Sequence, residues 1–373
     1  MIMSSDTKHG EPPTLPGHPA RGFVAEPGQP KAAEEAARLA DAERSSAADA
    51  TRKGGSTSKS VAEHVRRDIR LAQAYNLVQN GDYWMSQPSE PTPLIKYSSA
   101  SRLYEDAADI FRAYGRWRYA GEAYAKAGEA ESSLNQPVVA ATNFVDGGDM
   151  FEKVDAGEAV KCFERAVALY AVLGHFVPAA TTQQRVAEIL YADGALDEAS
   201  EAFKNSADYF LGDDCYSQAV QMIVRSAECL CEDGSYERAH GMFDRAAYFA
   251  ADDNICKLRV PKYMLQAGLC SLSCGDLDGC ENYVVECCKR NEEFAVGREK
   301  RFLLDLVDVA SAGLIDDFID HAWNYDNVYG FDPFEINMLE IVYKRMQEGA
   351  NKKKSDDDDD KNEGEEDEAE VHA

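Results

Sequence analysis

Between about Val61 and Met346 apolar residues recur at three- and four-residue intervals, and a turn signal interrupts them every twenty residues or so. The marks are Gly115-Arg116-Trp117, Asn135-Gln136-Pro137, Asp155-Ala156-Gly157, Gly174-His175-Phe176, Gly194-Ala195-Leu196, Asp213-Asp214-Cys215, Gly234-Ser235-Tyr236 and Gly275-Asp276-Leu277. Alanine follows most of them a few positions on, at Ala120, Ala140, Ala159, Ala179, Ala199, Ala219 and Ala239. Each interval holds one apolar-periodic segment, which predicts one helix, and two intervals predict a helix pair. Such a pair cannot bury its own apolar face, so pairs stack and the stack offers a long binding surface. Residues 61–280 are therefore expected to form an all-α, tetratricopeptide-like helical-hairpin solenoid, although the full Trp-Leu-Gly-Tyr consensus is absent.

Both ends of the stack depart from this rhythm. A first helix is predicted over about 61–79, with Ile69, Ala72 and Leu77 on one side. An apolar loop at 83–97 follows, holding Tyr83, Trp84, Met85, Leu94 and Ile95 around three prolines. Loops are normally polar, so these side chains either cap the first layer of the core or form a finger that inserts into a membrane interface or another protein. Past Gly275 the pattern predicts two helices over 281–312 broken near Phe294 to Gly297, another over 314–325, and a last one from Asp332-Pro333 through Met346. Residues 281–350 thus read as a C-terminal helical bundle. The proline-rich, then Ala/Glu/Ser-rich stretch 1–60 predicts a disordered arm. The like-charge run at 351–373 predicts a disordered acidic tail.

Charge narrows the partners. The net charge of −28 is carried mainly by residues 63–350, at −21, with −7 in residues 351–373. Such a body repels polyphosphate, which argues against nucleic acid as a partner. No apolar run is long enough to span a bilayer, and the start of the chain lacks the layout of a secretory or organellar signal, so a cytoplasmic protein is expected. Nine of the ten cysteines fall between Cys215 and Cys288, none as Cys-x-x-Cys. They read as small core residues in a reducing compartment, with no metal and no cofactor predicted. No phosphate-binding loop, His-Glu-x-x-His or Gly-x-Ser-x-Gly motif exists, and no histidine is paired with a nucleophile, so no catalytic residue is predicted and the chain is expected not to be an enzyme.

Three stretches resemble the soluble NSF attachment proteins, most closely the alpha type. The first is Asn143-Phe144-Val145-Asp146-Gly147-Gly148 through Lys153, then Glu158-Ala159-Val160, Cys162, Arg165-Ala166, Tyr170 and Gly174-His175-Phe176. The second is Ser206-Ala207-Asp208-Tyr209-Phe210 with Gly212-Asp213-Asp214, and the third is Tyr325-Asp326, Phe331-Asp332 and Asn337-Met338-Leu339 with Lys344-Arg345. The resemblance covers roughly residues 63–350. It implies an adaptor, peripherally associated with membranes, that binds the SNARE four-helix bundle and recruits the hexameric AAA+ ATPase NSF to take it apart. It further implies that Tyr83, Trp84, Met85, Leu94 and Ile95 touch the membrane. SNARE contact falls to Lys153, at a matching position, with Lys161, Arg165, Arg185 and Arg225 as a shifted basic stripe. ATPase contact falls to Asp308, with Lys344 and Arg345 beside it and the acidic tail beyond. A general helical-repeat scaffold, either a gamma-type relative or a chaperone-type peptide clamp, is the alternative.

Overall fold

The computed structural model describes residues 57–88 and 92–370, without the side chains of 57–60 and 352–370. Every regular element among the described residues is helical. Contacts divide the chain into residues 1–68 and residues 69–373. Of the first unit, 57–68 are the opening turns of α1 (Thr57–Ser86), and the expected arm lies outside the described residues as far as residue 56. The second unit continues through α2 (Pro93–Ala113), α3 (Trp117–Ser133), α4 (Pro137–Phe151), α5 (Ala156–Val172), α6 (Phe176–Ala192), α7 (Leu196–Gly212), α8 (Tyr216–Glu232) and α9 (Tyr236–Asp252). After a 3-10 turn at Lys257–Arg259 come α10 (Val260–Cys274), α11 (Leu277–Arg290), α12 (Glu292–Val296), α13 (Arg298–Ala312), α14 (Ile315–Tyr329) and α15 (Pro333–Glu370).

The twenty-residue punctuation has a backbone cause. Gly115, Gly174, Gly194 and Gly234 adopt left-handed φ values, and Asn135 (φ 56°) and Asp214 (φ 55°) take the same conformation in the turns that lack glycine. The next N–H then reaches back across the turn, as from His175 to the Tyr170 carbonyl at 2.9 Å and from Ser235 to Leu230 at 2.8 Å, which closes the helix end. The turn before α5 works differently: Asp155 is extended and its carboxylate accepts from the Glu158 N–H. That bond, with Arg118 adding to it, holds the Asp155 carboxyl below its ordinary range.

Successive helices from α2 to α10 pack side by side in chain order. All seven alanines that follow the turn marks are completely buried, so each brings a helix start close to its neighbour. Aromatic rings press close against glycines in the adjoining helix: Phe144 on Gly128, Phe151 on Gly121 and Phe163 on Gly148. Alanine in place of a mid-helix glycine ordinarily gains about 1 kcal/mol. At Gly148 the sign reverses, because a Cβ there would lie inside 3.0 Å of the Phe163 ring. Gly148→Ala is expected to cost roughly 2 kcal/mol through forced repacking of that ring, measurable as a lower midpoint in denaturant. An unchanged or raised midpoint would show that the ring can yield.

Three sequence expectations change here. In α1 the buried positions are Leu71, Ala74 and Gly81, whereas Ile69 and Ala72 face solvent. The bundle starts one helix before residue 281: α10 is buried along nearly its whole length because α9, α11, α13 and α15 all pack against it. And the acidic run, expected to be disordered, continues α15 to Glu370, since extending an existing helix adds a hydrogen bond per residue without a new nucleus. Met338, Leu339 and Val342 of α15 are buried in the bundle as the periodicity predicts. Its start is a reciprocal capping box, Asp332 N–H to Glu335 and Glu335 N–H to Asp332, tied to α10 by Lys262 at 2.7 Å from Asp332. Burial raises the Glu335 carboxyl above its usual value, against the bond from Asp332 N–H.

Candidate interaction surfaces

The segment 83–97 is not one loop. Tyr83, Trp84 and Met85 belong to the last turn of α1, while Leu94 and Ile95 open α2. Lys96 is buried and donates to the Gln87 carbonyl at 2.6 Å, clasping the connector from its α2 side. Tyr104 and Lys126 both donate to Asp82 at 2.7 Å, which anchors the end of α1 from α2 and α3. The five apolar side chains divide. Trp84 and Met85 pack against the core cluster of Ala100, Tyr104, Ala127 and Ala130. Tyr83, Leu94 and Ile95 stay 57%, 65% and 53% exposed. The structure therefore assigns Trp84 and Met85 to the first layer of the core, and only the other three project.

The basic residues also divide. Arg165 of α5 lies 4.2 Å over the Phe144 ring of α4 and donates to Glu129 of α3 at 2.9 Å. Arg185 of α6 lies 4.3 Å over Phe163 of α5 and donates to Asp149 of α4, and to Glu152 just beyond it, at 2.5 Å each. Arg225 of α8 sits 5.6 Å from the Phe203 ring of α7 and 5.1 Å from Tyr191 of α6, paired with Glu228 of its own helix at 2.8 Å. Each guanidinium stacks on the preceding helix, and two of them reach a carboxylate on the helix before that. These arginines bind layer to layer, so their charge is already matched.

Lys153 and Lys161 are different. Lys153 is exposed, rides 3.8 Å over the Trp117 ring and has no ion pair among the described residues. Lys161 is exposed and, among the described residues, pairs only with Glu158 of its own helix, at 2.7 Å. Lys161 and Arg165 share a groove of roughly 800 Å³ with Lys126, Glu129, Glu158 and Glu164. Beside them, burial pushes the Cys162 thiol up to about 11, so it is no nucleophile at neutral pH. The same holds for Cys229, at about 11, and Cys280, at about 12. All ten cysteines are free, and seven are buried. Among the described residues no group of three or more His, Cys, Asp or Glu side chains is placed to hold a metal.

At the far end, Asp308 is exposed on α13, and Lys344 is exposed on α15 with Glu340 at 3.5 Å. Arg345 is structural. It donates to the Ser273 carbonyl at 2.7 Å, at the C-terminus of α10, and its guanidinium lies against Gly275. There it offsets the negative end of the helix dipole. Ser311 and Ala312 line a cavity with Arg345, Gly349 and Ala350 where α13, α15 and the end of α10 meet.

The sequence reading missed Arg245, which stands twenty residues after Arg225 and donates from α9 to Asp208 of α7. It also missed Lys126, which spans from α3 to α1. The signal was present as the spacing Arg165, Arg185, Arg225, Arg245; a basic residue that keeps the repeat's own period belongs to the repeat's packing.

The family model described as soluble NSF attachment protein, SNAP, matches residues 71–347. The alpha-soluble NSF attachment protein of Homo sapiens is 27% identical over 278 residues, covering 74% of this chain and 93% of that protein. The probable vesicular-fusion protein sec17 homolog of Neurospora crassa is 26% identical over 260 residues, covering 69% of this chain and 89% of the relative. A sec17 homolog from Schizosaccharomyces pombe is 26% identical over 254 residues, covering 68% and 88%.

Proposed function

The chain belongs to the soluble NSF attachment protein family, and from that premise we propose that it is a vesicle-fusion adaptor that binds SNARE four-helix bundles and recruits NSF to disassemble them. It hydrolyses nothing itself and acts in the cytoplasm at membrane surfaces. The observation that carries this reading is the extent of the family match, which runs from the first buried residue of α1 through the bundle-packing part of α15. Solenoid and bundle are thus inherited together, one surface for each partner. Of the predicted basic residues, Lys153 has no ion pair among the described residues and Lys161, exposed and paired with Glu158 of its own helix, is not tied to another layer. These two are therefore proposed to meet an acidic bundle, and the exposed Tyr83, Leu94 and Ile95 to meet a membrane. No helix among the described residues is long and apolar enough to cross one, which fits peripheral contact. Asp308, Lys344 and the acidic extension of α15 face the ATPase, the eleven acids of residues 351–373 supplying long-range attraction for a basic surface.

Reconstitution tests this. The purified chain added to a SNARE bundle with NSF and ATP is expected to raise the ATPase rate and to release the SNAREs. A chain ending at residue 354 should still bind the bundle, yet recruit NSF more weakly, with the deficit larger at low salt. If the intact chain binds neither SNARE bundle nor NSF, the adaptor reading fails. If only the truncation is without effect, the tail has no part in docking.

A further inference from the structure

Two buried thiols meet where the solenoid joins the bundle. Cys231, in the last turn of α8, and Cys270, one turn before the end of α10, are both free, with their sulfurs 3.6 Å apart. They stand 39 residues apart in the chain, one in the stack and the other in the helix at the centre of the bundle. A disulfide needs the sulfurs at about 2.05 Å, so roughly 1.5 Å of approach, shared between two side chains, would join them.

A third thiol completes the cluster. Cys274 lies one turn beyond Cys270 on α10 and, unlike the pair, is only half-buried. Tyr236, the first residue of α9, is close to all three: burial first, and then Cys231, Cys270 and Cys274, raise its phenol. Burial, followed by the contact with Cys231, pushes the Cys270 thiol well above its ordinary value. Burial raises the Cys274 thiol too, with the Arg345 charge the largest influence opposing it. Thiols held in this way are poor nucleophiles at neutral pH, so the cluster rests reduced. The more open thiol, beside a guanidinium, is the one an oxidant reaches first.

We infer that Cys231 and Cys270 form a reversible disulfide when the chain meets a peroxide, with Cys274 as the thiol that takes the oxidant. The Cys274 thiolate attacks one peroxide oxygen and becomes a sulfenic acid, while hydroxide leaves and takes up the thiol proton as water. Cys231 then attacks the Cys274 sulfur, and the sulfenic hydroxyl departs with the Cys231 proton as a second water. Exchange with Cys270 moves the bond to the contacting pair and returns Cys274 as a thiol. Two thiols are oxidised and one peroxide is reduced to two waters. The bond fastens the end of the stack to the central bundle helix, closing a loop that the unfolded chain must also carry. It also removes relative movement between the SNARE-facing stack and the ATPase-facing bundle, and so acts as a brake; that consequence rests on the adaptor reading above.

The test treats the full chain with hydrogen peroxide and removes it before any partner is added. The expected product has lost two hydrogens, a mass lower by about 2 Da. It should yield a peptide linking Cys231 to Cys270 and melt several degrees higher, with dithiothreitol reversing all three changes. Cys231→Ala and Cys270→Ala should each abolish the link and the shift in melting, and Cys274→Ser should slow the link without changing it. With a SNARE bundle, NSF and ATP, the oxidised chain should bind the bundle as the reduced one does, yet release the SNAREs more slowly. A link among other cysteines, or oxygen added at Cys274 with no link, overturns the pair. Unslowed formation in Cys274→Ser overturns the entry thiol, and a linked chain that releases SNAREs at the reduced chain's rate overturns the brake. If the reduced chain itself binds neither SNARE bundle nor NSF, the adaptor reading fails, while the mass and melting results still decide the thiol pair.

Discussion

An Arg185→Glu chain is expected to lose roughly 3 kcal/mol of stability before any question of binding arises. Removing one partner of a buried ion pair costs about 3–5 kcal/mol because the remaining charge is stranded. Arg185 is only partly solvated, at 33% side-chain exposure, and it serves two carboxylates at once, Asp149 and Glu152. Partial exposure reduces the cost to roughly 2 kcal/mol, and loss of the stack on Phe163 adds about 1 kcal/mol. The new glutamate also faces Asp149, whose charge already helps, after burial itself, to raise the Asp146 carboxyl. Thermal unfolding followed by circular dichroism should show a melting point lower by several degrees, roughly in line with that loss. Lys161→Glu is the control: the side chain is exposed and its ion pair among the described residues is local, so the melting curve should not move while SNARE-bundle binding falls. Should Arg185→Glu bind weakly yet melt as the wild type does, its guanidinium would be a contact residue rather than a tie between layers.

The apolar end of α1 and α2 should likewise split into two behaviours. Trp84→Ser with Met85→Ser removes half-buried packing against Ala100, Tyr104 and Ala127 and is expected to cost about 3 kcal/mol, given what large-to-small core substitutions cost. Tyr83→Ser, Leu94→Ser and Ile95→Ser together take away side chains that are more than half exposed, so stability should hardly change. Burying those three in a bilayer interface, at about 25 cal/mol per Å² of apolar area, is enough to shift vesicle partitioning by more than roughly tenfold. Sedimentation with liposomes and a melting curve on the same two variants separate the roles. Equal liposome binding by the wild type and the Tyr83, Leu94, Ile95 variant would end the membrane reading of this segment.

The difference between these two sets of residues shows where sequence reading reaches its limit. Trp84 and Ile95 carry the same signal in the chain, a large apolar residue near a proline cluster. Which one is covered depends on whether Tyr104 and Ala127, twenty and more residues away, pass beneath it. The arginines repeat the point. Arg165 and Lys161 are four residues apart on one helix and look alike in the sequence. Only the neighbouring layers reveal that Glu129 and the Phe144 ring engage the first, while among the described residues the second forms its ion pair within its own helix, to Glu158.

Everything that repeats locally was legible in the chain alone. Helix count through the stack, turn positions and the buried alanines follow from periodicity and from residues that tolerate left-handed backbone, because those preferences act within one turn of chain; the two helices expected over 281–312 are three, with Phe294 inside the short one. Packing between distant segments settled the rest. It placed α10 at the centre of the bundle, turned Arg345 onto the Ser273 carbonyl, absorbed Trp84 into the core and left Trp323 outside it. Burial and charge pairing are properties of two segments brought together, and two segments separated by forty or seventy residues carry no mutual signal in a single sequence. The binding surface is what remains after those pairings have been made.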